Sequence, residues 1–525
     1  MYYNAMKKQY TKEYIMKILE EIKNYATTCG DKTAIHSGGE YMSYKQLDMY
    51  SDRLAMWLDR EFKGSKVPVV VYGHKNLYMI VCFLACVKSG RAYCPQDISI
   101  PDTRVMDTVE CVNPDVIFQV EGDISFEGEN VKNLQNIKDI IENEPDCISK
   151  ESWVKPYDTY YIIFTSGSTG KPKGVKITYD CLNNYLDWSV DLGTSKEEKT
   201  GQNFANQAPF SFDLSVMDLY TCLACGGTLH TLTKKDQEDY GKMFDYFKES
   251  DINVWVSTPS FADVCLVDRK FCSELLPHLQ VFLFCGEVLT ISTAKKLHER
   301  FEQALVVNTY GPTESTVAVS DVLITPQLAQ QMSDLNKSLP VGHEKKGTWL
   351  EIHDQQGNIL ADGEQGEIII IGDTVSTGYY KRDDLTKKAF FTCQREGKEY
   401  RAYHTGDAGY KMDGQLFYNG RIDLQVKLNG YRIEIEDIEN NMLRLSQISH
   451  AVVVPNMKEG KVKSLTAFVT GELNGKTPQE FGREVKKNLK EILPVYMIPK
   501  KVKYIEEIPM NNNGKADRKY LGGLL

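Results

Sequence analysis

Residues 161–178 read YIIFTSGSTGKPKGVKIT, the densest run of potential chemistry in the chain. A strand-like stretch leads into Thr165, Ser166, Gly167, Ser168, Thr169, Gly170, Lys171, Pro172, Lys173 and Gly174. Glycines let a backbone bend so that successive N–H groups face an anion, and hydroxyl and lysine side chains add phosphate donors. This is not a Walker A loop, because Pro172 follows Lys171 where that pattern needs Ser or Thr. The segment after it is again β-like, so a helix dipole is not the main device. The bland alternative is a flexible surface turn. Seven Gly, Ser or Thr residues in ten, with two lysines, argue against that alternative.

Four further positions could do chemistry. Asp213 stands among Phe210, Phe212, Leu214, Val216 and Met217. A carboxylate buried there costs several kcal/mol unless a cation pairs with it, and an α-ammonium group would supply one. The same position suits a helix N-cap, and the residues alone leave both readings open. Cys285 ends the apolar run VFLFC just before Gly286, at a strand end, where ligands of α/β sheets bind. A free cysteine is otherwise a small core residue. Glu314 in YGPTE offers the hard oxygen that Mg²⁺ takes, or is a solvated glutamate after a Gly-Pro turn. Lys515 in NNNGKADRK is, by type alone, a solvated surface charge.

These positions need a scaffold. Strand-like VPVVVYG (67–73) is followed by helix-like YMIVCFLACVKSG (78–90). Strand-like runs recur at 115–120, 160–167, 253–259, 281–286 and 304–311. Buried apolar runs separated by helical patterns predict parallel sheets covered by helices. Beyond about residue 345 the segments alternate around Gly-containing turns, which predicts a β-rich subdomain. The last hundred or so residues suit a small α+β domain with a helix at 478–492. The expected division is 1–422 for a large N-terminal core, with the β-rich part at about 345–422, and 423–525 for the C-terminal domain.

Composition excludes several classes. At about 150 residues per domain, 525 residues suggest three to four domains or subdomains. A net charge of -10 is wrong for a general nucleic-acid binder. No segment reaches the roughly 18 uninterrupted apolar residues that a membrane helix needs. The N-terminus reads as a lysine-rich amphipathic helix with Ile15, Ile18, Leu19 and Ile22 on one face, not as a signal peptide. Thirteen cysteines in such a chain read as reduced thiols, so the cytoplasm is the expected compartment. Cys222 and Cys225 lack the other ligands of a zinc site, and no H-E-x-x-H, G-x-S-x-G or kinase signature is present.

The loop at 165–174 resembles the phosphate-binding loop of the adenylate-forming superfamily. RAYCPQDISIPDTR (91–104), NTYGPTE (308–314), TGD (405–407), GRIDLQVKLNGYRIE (420–434) and NNNGKADRK (511–519) resemble further motifs, in the family's order. Within the superfamily the chain is most similar to the ligases that load D-alanine onto a carrier protein. That likeness rests on NQAPFSFDLSVMDLY (206–220), GGTLH (226–230), NVWVSTPSF (253–261), FLFCGEVL (282–289) and NTYGPTESTVAVS (308–320). The resemblance implies an adenylate-forming α/β fold, with a large N-terminal domain of helix-covered sheets, a β-rich subdomain and a small mobile α+β C-terminal domain that turns on a hinge near Asp423.

It also implies roles. Thr165, Ser166, Gly167, Ser168, Thr169, Gly170 and Lys173 would bind the phosphates of ATP. Asn308, Thr309, Tyr310 and Gly311 would lie along the adenine, Thr313 on the α-phosphate, and Glu314 on Mg²⁺. Asp407 would take the ribose hydroxyls, and Arg421 the ribose or phosphates. Asp213 would pair with the substrate ammonium, while Cys285 and Met217 would wall a small side chain beside Gly286. Lys515 would enter the site and bind both the substrate carboxylate and the phosphate. One departure is His404, where the family usually places Arg before TGD.

The expected function is therefore ATP- and Mg²⁺-dependent conversion of D-alanine to D-alanyl-AMP. Transfer to the phosphopantetheine thiol of a separate D-alanyl carrier protein follows, for teichoic acid D-alanylation, by a monomeric enzyme without membrane insertion. Three alternatives stand beside it: a stand-alone adenylation enzyme for another small amino acid, an acyl- or aryl-CoA synthetase, and a nucleotide-binding scaffold. The CoA synthetase would leave Asp213 without an ammonium. The scaffold would not need Lys173, Glu314, Asp407, Arg421 and Lys515 together.

Overall fold

A computed structural model describes residues 17–144, 148–166, 172–237, 239–422, 424–510 and 516–525. The alternating apolar runs form two large sheets. The first has six strands, in the order Val131–Asn133, Ile117–Gln119, Val69–Tyr72, Tyr93–Gln96, Thr159–Thr165, Lys173–Thr178. Its pairings are parallel except the last. The second has nine strands. Leu305–Tyr310, Val281–Phe284, Val254–Ser257, Asn203–Asn206, Thr228–Thr231 and Thr33–Ser37 form its parallel centre, and antiparallel strands close both edges. The expected parallel sheets thus hold in the interior and give way to antiparallel pairs at the rims.

Two mostly apolar helices are buried on nearly every face, which a helix tolerates only when surrounded by protein. Leu77–Lys88, apart from half-buried Tyr78, and Leu214–Ala224 are buried throughout and join one continuous core with both sheets. The N-terminal helix begins at Ile18 in the described chain and buries Ile18, Leu19 and Ile22, as its spacing predicts. Ile15 lies outside the described residues.

From Thr348 to Arg421 five antiparallel strands make a separate sheet. From residue 424 onward the chain builds a hairpin, Gln425–Leu428 with Tyr431–Glu434, and a three-stranded sheet. These pack with the helices Ile435–Met442 and Pro478–Leu489 into a core of their own. Ion pairs join this unit to the rest, at Arg104–Asp437, Lys461–Asp263, Lys461–Glu287 and Arg432–Glu314. Arg104 Nη2 meets both oxygens of buried Asp437 at 2.8 and 3.0 Å, and Lys461 Nζ meets Asp263 at 3.1 Å. No helix of the described residues is long and apolar enough to cross a membrane.

Candidate functional site

The parallel strands of the nine-stranded sheet end at one edge, and the residues after four of the six strand ends line one small cavity. Gln207 follows Asn203–Asn206, Thr258 follows Val254–Ser257, Cys285 follows Val281–Phe284, and Gly311 follows Leu305–Tyr310. This is where an α/β sheet offers its ligands a site. The cavity is about 60 Å³ and also receives Asp213, Thr313, Asp407, Arg421 and Arg432. A larger cavity of about 280 Å³ adjoins it, lined by Asn308, Thr309, Tyr310, Gly311, Tyr418 and Arg421 among others. Gly286 borders both at φ +89°, a left-handed conformation that favours glycine. At Gly311 a Cβ would sit 2.5 Å from the Ala318 backbone, so only glycine fits.

Asp213 precedes the helix Leu214–Ala224 but does not cap it. Its backbone is already helical, and its side chain accepts no capping bond. Instead its carboxylate accepts from Thr313 Oγ1 at 2.6 Å. Burial raises the Asp213 carboxyl, and the Thr313 hydroxyl offsets part of that. The missing capping bond removes the N-cap reading, and with no ion pair among the described residues a partly buried carboxylate is left facing the cavity. Cys285 stands opposite, nearly fully buried, with burial pushing its thiol up. A protonated buried thiol is a wall, not a nucleophile. Met217 lies one turn along the helix from Asp213, has no exposure, belongs to the core, and is not among the residues lining the cavity.

Glu314 opens a short 3-10 turn, Thr313–Ser315, and is wholly buried. It accepts from Arg432 Nη1 and, at 2.8 Å, from the Tyr379 hydroxyl, with Lys173 Nζ 3.6 Å away. Burial alone would raise its carboxyl. The Arg432 and Lys173 cations override that and hold it well below the usual carboxylate range. Thr316 and Val317, directly after the turn, are β-branched residues at φ 60° and 68°. Such residues avoid the left-handed region unless their surroundings hold them there, and this strain sits against the site.

Asp407 Oδ2 accepts from the Tyr310 hydroxyl at 2.6 Å, and Asp407 Oδ1 from Arg421 Nη1 at 2.7 Å. Thr309 Oγ1 donates to Phe284 O and Asn308 Nδ2 to Pro340 O, both at 2.8 Å. Those two side chains brace the wall of the larger cavity. Thr165 Oγ1 is buried with no hydrogen-bond partner among the described residues, and Ser166 Oγ donates to Arg432 O at 2.9 Å. His404 is half exposed and bonds Glu367 at 3.2 Å, while Glu367 accepts from the Gly406 N–H at 2.9 Å. It props the turn before Asp407 and does not enter the site.

Gly167, Ser168, Thr169, Gly170, Asp423 and Lys515 lie outside the described residues. The structure brings Asp213, Cys285, Gly286, Asn308 to Gly311, Thr313, Glu314, Lys173, Asp407 and Arg421 together. Sequence reasoning passed over Arg432, Tyr379 and Lys427. Arg432 meets Glu314 and Lys427 lines both cavities; both stand inside QVKLNGYRIE, whose place in the family motif was the available signal. Tyr379 carried none.

Mg²⁺ is held by oxygen donors, and Glu314 is a buried carboxylate of the right chemistry. Among the described residues no group of three His, Cys, Asp or Glu side chains could hold a metal ion. A cation here would thus rest on one carboxylate and on oxygens of a phosphate ligand, after Arg432 withdraws.

The chain matches the family model for an AMP-binding enzyme over residues 22–380 and that for the AMP-binding enzyme C-terminal domain over residues 437–515. It is 45% identical over 508 residues to a D-alanine–D-alanyl carrier protein ligase of Bacillus anthracis, covering 96% of this chain and 99% of that protein. The match to the protein of the same description from Bacillus velezensis is also 45%, over 509 residues, 97% of this chain and 99% of the other. Among solved structures, an NRPS protein containing adenylation and PCP domains, bound to a vinylsulfonamide inhibitor, superimposes with a TM-score of 0.81 at 24% identity, covering 96% of this chain and 84% of that one. The Vibrio cholerae adenylation domain AlmE, in complex with glycyl-adenosine-5'-phosphate, gives 0.76 at 22% identity, covering 98% and 99%. At these identities both establish the fold alone.

Proposed function

Because the chain belongs to the AMP-binding enzyme family, we propose that it joins D-alanine to AMP and passes the D-alanyl group to a carrier protein thiol. The carrying observation is Asp213: a partly buried carboxylate at the cavity edge whose only side-chain hydrogen bond among the described residues is to a neutral hydroxyl. A substrate ammonium supplies the missing cation. The curated relatives, by their description, act on D-alanine and a D-alanyl carrier protein.

In the first step the D-alanine carboxylate attacks the α-phosphorus of ATP and pyrophosphate leaves. Asp213 and Thr313 orient the amino acid, and Cys285 closes the space beside its α-carbon. Asn308 to Gly311 flank the base, and Asp407 and Arg421 hold the ribose. Lys173 and the loop 165–170 take the phosphates, and Lys515 neutralises the meeting of carboxylate and phosphate. Mg²⁺, when bound at Glu314, neutralises phosphate charge. In the second step a phosphopantetheine thiol on a separate carrier attacks the D-alanyl carbon, and AMP leaves. The product serves teichoic acid D-alanylation. The enzyme works as a monomer in the cytoplasm.

One site must serve both steps, so the C-terminal domain, 423–525, turns about Asp423. The placement of the hairpin supports this. Gly430, Tyr431 and Arg432 occupy the small cavity's wall, as the second step requires. Met510 and Ala516, the described residues on either side of Lys515, pair with each other and line neither cavity.

Amino-acid-dependent ATP–pyrophosphate exchange tests the reading, with D-alanine set against L-alanine, glycine and D-serine. Preference for D-alanine is expected. Preference for another amino acid keeps the chemistry and replaces the substrate. No exchange with any of them, from folded protein that binds ATP, rejects the reading.

A further inference from the structure

Lys75 lies in the loop after the strand Val69–Tyr72, at φ 43° and 1% exposed. Its carbonyl accepts from Ser37 Oγ at 2.6 Å and from Thr231 Oγ1 at 3.5 Å. Its ammonium crosses from the six-stranded sheet to the end of a strand in the nine-stranded one. There it donates to Asn206 O at 2.9 Å and Gln207 O at 2.6 Å. It makes no ion pair among the described residues. A buried cation spent on two carbonyls is a costly arrangement for packing alone. Burial pushes it down to about 7 against the opposing charges of Asp218, Asp97 and Asp236.

What it holds is the base of one segment. Gln207, Ala208, Pro209, Phe212 and Asp213 all line the small cavity, and Gln207 begins that segment. Asn206 Nδ2 donates to Ala208 O at 3.2 Å and to Asp218 Oδ1 at 2.9 Å. Asp218 is wholly buried in the helix that starts directly after Asp213. Both ends of 207–213 are therefore tied at Asn206, and Lys75 fixes Asn206 to the other sheet.

We propose that Lys75 is a positioning residue for the amino-acid substrate: by clamping Asn206 and Gln207 it sets where the 207–213 segment presents the Asp213 carboxylate. This rests on the reading of the cavity as an amino-acid site. Lys75 touches no reacting atom, so its effect falls on amino-acid binding and leaves the nucleotide side alone.

Lys75→Met removes the donors at similar length. The KM for D-alanine in the exchange reaction is expected to rise about tenfold or more, with the KM for ATP within about twofold. Hydrogen exchange of amides in 207–213 should accelerate relative to the rest of the chain. An unchanged D-alanine KM in folded Lys75→Met protein, or equal rises in both KM values, overturns the proposal. If Lys75→Met does not fold, Asn206→Ala opens the same clamp and is judged by the same comparison. Should the unsubstituted protein show no exchange with D-alanine, the amino-acid reading fails. The amide exchange rates then decide the clamp, and unchanged rates in 207–213 reject it.

Discussion

The Thr313 hydroxyl donates to Asp213 across 2.6 Å, linking the turn that carries Glu314 to the segment that carries Asp213. The two acids thus share one support in unlike states. Arg432 and Lys173 hold Glu314 ionised against its burial, while burial raises Asp213 and the Thr313 hydroxyl and the Lys427 and Arg432 charges offset only part of it.

Asp213→Asn keeps the shape and removes the charge. D-alanine-dependent exchange should fall by about 10²- to 10³-fold, the scale of losing one partner of a buried ion pair. ATP binding, followed by calorimetry, should stay. Loss of ATP binding would mean that Asp213 is a structural acid.

Cys285→Ala removes a wall. Activity with L-alanine relative to D-alanine should rise about tenfold, the scale of a steric change in a small pocket. An unchanged ratio in the exchange assay would take stereochemical control away from Cys285.

Lys515→Ala should suppress exchange sharply yet spare transfer of D-alanine from supplied D-alanyl-AMP to a carrier thiol. Equal loss of both half-reactions would defeat the two-orientation reading.

Arg104→Met leaves Asp437 buried without its cation, which costs this orientation about 3–5 kcal/mol. Thiol transfer should drop while exchange is maintained, because the pair joins the C-terminal unit to the core only as arranged here. Parallel loss of both activities would make the pair a general support of the fold.

Acid stability should depend on a histidine pair. His36 Nδ1 and His230 Nδ1 lie 3.0 Å apart, and His230 is pushed down to about 3, first by burial and then by His36. Below the ordinary histidine value the unfolded chain takes a proton that the folded one refuses. Stability is therefore full above about pH 6.5 and falls as pH drops toward 3, by up to about 1.4 kcal/mol per pH unit. Thermal unfolding from pH 7.5 down to 5 should show a falling midpoint, and His230→Gln should flatten it. A slope unchanged by His230→Gln would assign it to other groups.

Much of this was legible from residue order. The apolar runs at 67–73 and 281–286 are strands because little else buries β-branched and aromatic residues on both faces. Asp213 and Cys285 stood out because a polar atom at a strand end or in an apolar run needs a reason, and Asp407 through its place in the TGD motif. Arg432 and Tyr379 were illegible because their meaning lies in Glu314, 118 and 65 residues away. The role of Met217 turned on which face of a wholly buried helix met the cavity, and an all-apolar helix carries no pattern that says so.

The proposal that Mg²⁺ rests on Glu314 would make that ion and the hairpin rivals for one carboxylate, since Arg432 holds it here. Two occupants of one group are thermodynamically linked: each weakens the other by the amount the other weakens it. On that reading divalent cation concentration would be a dial on how the C-terminal unit is parked, and spent nucleotide leaving with its ion would clear the berth for arginine.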